Sequence, residues 1–298
     1  MKTILTELKD MAEGGQLAHQ GSFRYTMFPG SEDPFSLCYA TDKKFLEQAI
    51  TNPNISCIIT TKTNAKKIPS SKGLIITSDP QELYYRIHNK LVIEKKIQLL
   101  DETCISKSAT IHSSVEIKRN VMIGDDVVIE KDVIIEANTI IKRSSYIGNR
   151  VILGSKGMQN NRVKNGLIKI AYAGGVKIGE GVEILDYGMI QRPYNFVFTQ
   201  IGDHSKISVR ASVGHGSYIG KNCMVAGNAQ VAGNVTIGDD VWIGPSVTIA
   251  DGLTVGSKAR LLIGSVIATH VPEGMEVSGN FALEHSRRLK HYSLLKKL

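Results

Sequence analysis

From Ile201 to Ile267 the chain reads IGDHSKISVRASVGHGSYIGKNCMVAGNAQVAGNVTIGDDVWIGPSVTIADGLTVGSKARLLIGSVI. Every sixth residue of this stretch is aliphatic: Ile201, Ile207, Val213, Ile219, Val225, Val231, Ile237, Ile243, Ile249, Val255, Leu261 and Ile267. With 42% hydrophobic residues in the chain, twelve such hits in succession have a chance probability of about one in thirty thousand. A helix would need apolar spacing near 3.6 and a half-buried strand spacing of 2. A period of six describes one short strand plus one corner. Three such units close a triangular coil of eighteen residues with the aliphatic side chain pointing inward.

The same register runs outward from this stretch. It is present at Ile105, Ile111, Ile117, Ile123, Ile129, Ile135, Ile141, Ile147 and Leu153, and again at Ile178, Ile184 and Ile190. The residue after the aliphatic is often small, as in Gly202, Gly214, Gly220, Ala226, Ala232 and Gly238, and glycine there is expected to serve tight corners where φ is positive or space is short. The twenty-four hexads predict a mainly β protein, a parallel β-helix of about eight coils, roughly 38 Å long at ~4.8 Å per stacked strand. Two excursions, about 155–175 and 191–200, interrupt it.

Three regions follow from this pattern. Residues 1–103 read as an α/β module, with strands at Cys57–Thr60 and Leu74–Thr77 and helices over LTELKDMAEG, KKFLEQAI and DPQELYYRIHNKLVIEKK, the last capped by Asp79 with Pro80 in its first turn. Residues 104–275 form the β-helix. Residues 276–298 read as a basic tail ending in EHSRRLKHYSLLKKL (284–298), with Arg287, Arg288, Lys290, Lys296 and Lys297 beside Leu289, Leu294 and Leu295, which reads as a short amphipathic helix.

Composition narrows the class. The 298 residues suffice for a sizeable core, and 21% charged residues is a globular proportion. No apolar run spans a membrane, and the N-terminus lacks the apolar core of a signal peptide. The scattered Cys38, Cys57, Cys104 and Cys223 indicate neither a disulfide framework nor a zinc site, so a reduced, cytoplasmic protein is expected. The net charge of +8 points to an acidic partner, while 6% aromatics with no basic stripe disfavours nucleic acid.

No phosphate-binding loop, HExxH or GxSxG motif is present. His19, His88, His112, His285 and His291 read as solvent-facing polar residues, and His270 as a structural residue at the end of the β-helix. His215 stands apart: it lies at a coil corner between Gly214 and Gly216, within the longest unbroken run, about one coil after the RPYNFVF excursion carrying Arg192. That excursion is expected to wall a pocket beside it.

The segment GDHSKISVRASVGHGSYIGKNCMVAGNAQVAGNVTIGDDVWIG resembles the UDP-3-O-acylglucosamine N-acyltransferase family of lipid A biosynthesis, within the left-handed hexapeptide-repeat acyltransferases. The matching features are Gly214-His215-Gly216, the pairs Ala226-Gly227 and Ala232-Gly233, the LGSKGM loop (153–158), Gln191-Arg192 and the VSGNFA ending. The resemblance supplies the left hand of the helix, which the usual crossover preference would not. It implies a homotrimer without a bound cofactor or metal, a nucleotide-sugar acceptor held by the N-terminal module, and an acyl-carrier-protein thioester as donor. His215 would be the general base, a backbone N–H of Gly233 or Gly216 would hold the oxyanion, and Arg192 would bind substrate. Tyr39 and Phe45 would be what remains of the uridine-binding aromatics. The chain departs from the family in having Ser208-Val209 where an Asp-Asn pair is usual, and Gly216 where the family has Asn. The three-histidine zinc site of prism-shaped carbonic anhydrases is missing, since Gly220 stands five residues after His215. The basic tail suits an acidic carrier protein or a peripheral contact with a membrane surface. Two other readings stand beside the leading one: an acetyl-CoA-dependent sugar N- or O-acetyltransferase of surface-polysaccharide assembly, and a catalytically inactive trimeric binding protein.

Overall fold

The computed structural model describes residues 5–94, 99–100, 102–279 and 284–295. Contacts divide the chain into two units, one of Met1–Thr103, Lys156–Gly175 and Arg192–Phe198, the other of Cys104–Ser155, Val176–Gln191 and Thr199–Leu298.

The second unit is a left-handed parallel β-helix. Its short strands fall into three sheets, here numbered in the order the chain first visits them. The first runs from Cys104–Ile105 to Thr254–Val255 and has eight strands; the second, from Thr110–Ile111 to Glu276–Val277, has nine; the third, from Glu116–Ile117 to Val266–Ile267, has eight. Register follows the eighteen-residue count, so Ser212–Val213 pairs with Gln230–Val231 and that strand with Thr248–Ile249, all in parallel. The sixth-position aliphatics form one continuous interior, with Ile207, Val213, Ile219, Ile237, Ile243, Ile249 and Leu261 each at 0% exposure. Each such side chain contributes about 1.5–3 kcal/mol by leaving water. Buried serines at the corners avoid an unmet polar group by bonding to the next coil: Ser205 Oγ donates to Gly220 O (2.8 Å) and Ser217 Oγ to Ala232 O (2.9 Å).

The corners divide two tasks that the sequence reading assigned together to the small residue after the aliphatic. Positive φ occurs three residues after the aliphatic, often at Asn and Asp: Asn120, Asp126, Asp132, Asn222, Asn228, Asn234 and Asp240 all lie near φ 54–58°. These residue types tolerate the left-handed region because their short polar side chains bond locally. The glycines directly after the aliphatic are there for space. A β-carbon on Gly220 would stand 2.4 Å from Gly238 O, and one on Gly202 2.5 Å from the Gly220 carbonyl carbon.

The first unit is built on a five-stranded sheet in the order Gln16–His19, Gly73–Ile76, Ile55–Thr60, Ser36–Tyr39, Tyr25–Thr26, parallel except for its first pair. The expected helix over LTELKDMAEG is not there: Thr6–Glu7 is a strand and Leu8–Met11 a single 3₁₀ turn capped by Ala12, after which Gly14 turns the chain at φ +93°. Leu8 and Met11, three apart, satisfy one tight turn as well as they would a longer helix, and both are buried. The helices Lys43–Thr51 and Pro80–Ile93 form as expected, the latter capped by Asp79, which accepts from Glu82 N–H at 2.9 Å.

His88 corrects another expectation, since it is fully buried rather than solvent-facing. Its Nε2–H donates to Ala171 O (2.8 Å), which leaves Nδ1 to accept from the Thr26 hydroxyl (2.7 Å). Desolvation lowers its pKa to about 4, so the ring is neutral. It pins the first excursion to the helix Pro80–Ile93. The second excursion, Arg192–Phe198, packs in the same unit, with Tyr194 and Phe196 buried edge-on to the His88 ring.

Of the other histidines, His112 is exposed and bonds Ser114 (2.9 Å), and His270 accepts from Thr254 N–H (3.0 Å), a structural contact. The tail helix spans His285–Leu295. Lys296 and Lys297, and the side chains of Arg288, His291 and Leu295, lie outside the described residues. The four cysteines are free, and no helix among the described residues is long and apolar enough to cross a membrane.

Candidate active site

Each time the chain passes from the third sheet to the first it turns the same corner, and three successive turns stack there. They are Val213-Gly214-His215-Gly216, Val231-Ala232-Gly233-Asn234 and Ile249-Ala250-Asp251-Gly252. Backbone bonds lock the stack: Asn234 N–H to His215 O at 2.8 Å, Gly252 N–H to Gly233 O at 3.0 Å, and Gly214 N–H to Val231 O at 2.8 Å. Side chains at this corner are thus set by rigid strands on both sides. Gly216, Asn234 and Gly252 take the left-handed conformation, at φ 69°, 56° and 71°.

His215 is half-buried, and its imidazole lies over Gly233. A β-carbon on Gly233 would sit 2.5 Å from His215 Cε1 and 2.6 Å from Nε2, so glycine is what makes room for the ring. The two backbone donors named in the sequence reading differ. Gly216 N–H donates to the buried Thr199 hydroxyl at 2.9 Å. Gly233 N–H makes no hydrogen bond among the described residues, although the residue itself is buried between the His215 ring and Asp251.

The fold therefore brings His215, Gly216 and Gly233 to one corner. The other predicted site residues fall in the first unit and do not cluster. Arg192 is 7% exposed, its guanidinium 5.8 Å from the Tyr172 ring centroid. Tyr39 turns into a tyrosine cluster, 5.1 Å from Tyr84 and 6.2 Å from Tyr85 between ring centroids, where burial pushes its hydroxyl up to about 12. Phe45 is 49% exposed on the helix Lys43–Thr51. A polar cleft of this unit, lined by Gly14, Thr77, Asp79, Glu82, Arg86 and Lys164, includes neither aromatic. Ser208 and Val209 lie on the preceding corner, between the second and third sheets, and not on that of His215.

Sequence reasoning missed Asp251, Asn234 and Thr199, although counting eighteen from Gly233 reaches Asp251 directly. It also left out His204, an exposed corner residue at φ 61° between the first and second sheets, whose ring packs against Gly181.

Comparison with known proteins agrees on where the distinctive stretch lies. The family described as bacterial transferase hexapeptide (six repeats) matches residues 198–233, a stretch that includes Thr199, His215 and Gly233. No curated protein sequence matches the chain. Among solved structures, it is similar to UDP-N-acetylglucosamine acyltransferase from Campylobacter jejuni (21% identity, 65% of this chain and 83% of that one, TM-score 0.48). It is also similar to that of Francisella novicida (20% identity, 64% and 72%, TM-score 0.49). A variant of perosamine N-acetyltransferase from Caulobacter crescentus, solved with CoA and GDP-perosamine, is a third (15% identity, 80% and 72%, TM-score 0.29).

Proposed function

We propose that the protein transfers an acyl group from a carrier-protein thioester to the amine of a UDP-linked amino sugar, with His215 as general base. The observation that carries this reading is the stack of a histidine over a glycine whose backbone N–H is unengaged, both on one rigid corner. A ring nitrogen of His215 takes a proton from the amine as its nitrogen attacks the thioester carbonyl. The C–N bond forms, and the charge arriving on the carbonyl oxygen is met by Gly233 N–H. Collapse breaks the C–S bond, and His215 returns its proton to the departing sulfur. A positioned base contributes about 10²–10⁴ in rate, and an oxyanion donor about 10²–10³.

A homotrimer is part of the proposal. Along the third sheet, after Glu116 in its first strand, the outward strand residues from Ile134 through Ile152, Met189, Ser212, Gln230 and Thr248 to Val266 carry no charge, which suits cover by a second copy. The second sheet instead shows Glu183, Lys206, Arg260 and Glu276. The basic tail suits an acidic carrier protein, through steering more than affinity.

One observation favours a second reading, an acetyl-CoA-dependent sugar N- or O-acetyltransferase: Tyr39 is packed among tyrosines and offers no open platform for a uracil ring.

The test is mass-spectrometric detection of acyl transfer onto UDP-3-O-acylglucosamine from hydroxyacyl-carrier protein, with acetyl-CoA as rival donor. Product that falls at least 100-fold in His215→Ala is expected. Full activity in that variant would remove His215 as base, and product from acetyl-CoA alone would select the second reading.

A further inference from the structure

We propose that Asp251 is the positioning residue for His215, supplying from two coils further along the β-helix the carboxylate that Ser208-Val209 lacks. The inference rests on reading His215 as the base. Gly233 separates the two side chains and has none of its own. The point where its β-carbon would lie is 2.6 Å from His215 Nε2 and 2.8 Å from Asp251 Oδ1. The two atoms can be no farther apart than the sum of those lengths, a gap that one bridging water spans.

Other corner carboxylates at the same place in the hexad are occupied differently. Asp186 Oδ1 accepts from Asn149 N–H (2.9 Å), Asp203 Oδ1 from Glu180 N–H (2.9 Å) and Asp239 Oδ1 from Lys221 N–H (2.8 Å), each holding the coil before it. Asp251 makes no such bond to Gly233 N–H. It accepts instead from Asn234 Nδ2 at 3.4 Å, and no cation pairs with it among the described residues. Asn234 is itself tied by its N–H to His215 O, so one residue fixes both members of the pair.

The chemistry follows. Nε2 is the His215 nitrogen nearer to Gly233, so a bridging water carries its hydrogen bond on to the carboxylate, which fixes the tautomer and leaves Nδ1 to take the substrate proton. The ionised carboxylate then stabilises the imidazolium, itself staying unprotonated. Of the groups that hydrogen bonds and close approaches bring to this corner, namely Thr199, Gly233, Asn234 and Asp251, Asp251 alone carries charge.

The experiment is site-resolved carbethoxylation of the full chain with diethylpyrocarbonate across pH 5–8, read by peptide mass spectrometry, with His112 and His270 as internal references. Asp251→Asn is expected to move the midpoint of the His215 pH–rate curve down by about half a unit or more, because the imidazolium loses its partner. Asp251→Glu should restore it, and the reference histidines should not move. A midpoint unchanged in Asp251→Asn overturns the pairing. This readout needs no substrate. Acyl transfer surviving in His215→Ala would instead overturn the base reading while leaving the pairing measured, so the two failures are distinct.

Discussion

The imidazole of His215 rests on Gly233 one coil further on, so closely that a methyl group there would stand 2.5 Å from Cε1. Gly233→Ala is therefore expected to push the ring aside. No positive φ is involved, so the fold should hold, while a displacement near 1 Å costs about 10² in rate. Gly227 is the control: it has the same place in its hexad, yet its β-carbon would meet nothing closer than Val209 O at 3.4 Å. Acyl-transfer rates and melting temperatures of the two variants, measured together, should separate a loss of activity in one from little change in the other.

The corner chemistry gives a stability test remote from the site. Asn228 is exposed at φ 57°. Asn228→Gly should leave stability within a few tenths of a kcal/mol, whereas Asn228→Val should lose about 1–2 kcal/mol, since a β-branched side chain is strained there. Urea unfolding followed by Trp242, the chain's single tryptophan, reads this unit directly.

In the interior of the β-helix, Ile237 is at 0% exposure and belongs to the continuous aliphatic cluster. Ile237→Ala should cost about 2–5 kcal/mol through lost transfer energy and the cavity left behind. The same tryptophan signal measures it.

His88 gives the first unit a pH dependence of defined sign. Its folded pKa, about 4, lies below the ordinary 6.5, so between those values the unfolded chain binds a proton that the folded chain refuses. Stability is full above pH 6.5 and falls as pH drops toward 4, by roughly 3 kcal/mol in total. Near-ultraviolet circular dichroism of the tyrosine cluster during urea unfolding, at pH 7 and pH 4.5, should show this slope, and His88→Gln should flatten it.

How much of this was legible in the sequence depends on whether a signal repeats. The β-helix is written as a period, so the inward aliphatics and the corner holding His215 could be read by counting. Position three of the corner was misassigned because Asn and Asp are common in any loop, and only the backbone angle shows that Asn222, Asn228 and Asn234 share one conformation. In the first unit there is no period to count. Short buried strands such as Ser36–Tyr39 look like loops, and the burial of His88 depends on a carbonyl, Ala171, more than eighty residues away. Tyr39 was read as a remnant of the uridine-binding aromatics, but its neighbours Tyr84 and Tyr85 come from a distant helix that sequence proximity does not reveal. Asp251 lay in plain view, one further count of eighteen beyond Gly233.

That count also constrains how the molecule can change. Removing one hexad between Gly233 and Asp251 would keep the aliphatic phase and so preserve a β-helix. It would also carry Asp251 back by one edge, onto the corner between the second and third sheets. Removing eighteen residues would keep the edge and bring a different side chain beside Gly233. The scaffold tolerates loss in units of six and the stacked corner in none, so length variation is expected where the chain already leaves the β-helix, at Lys156–Gly175 and Arg192–Phe198, before the run that carries His215 begins.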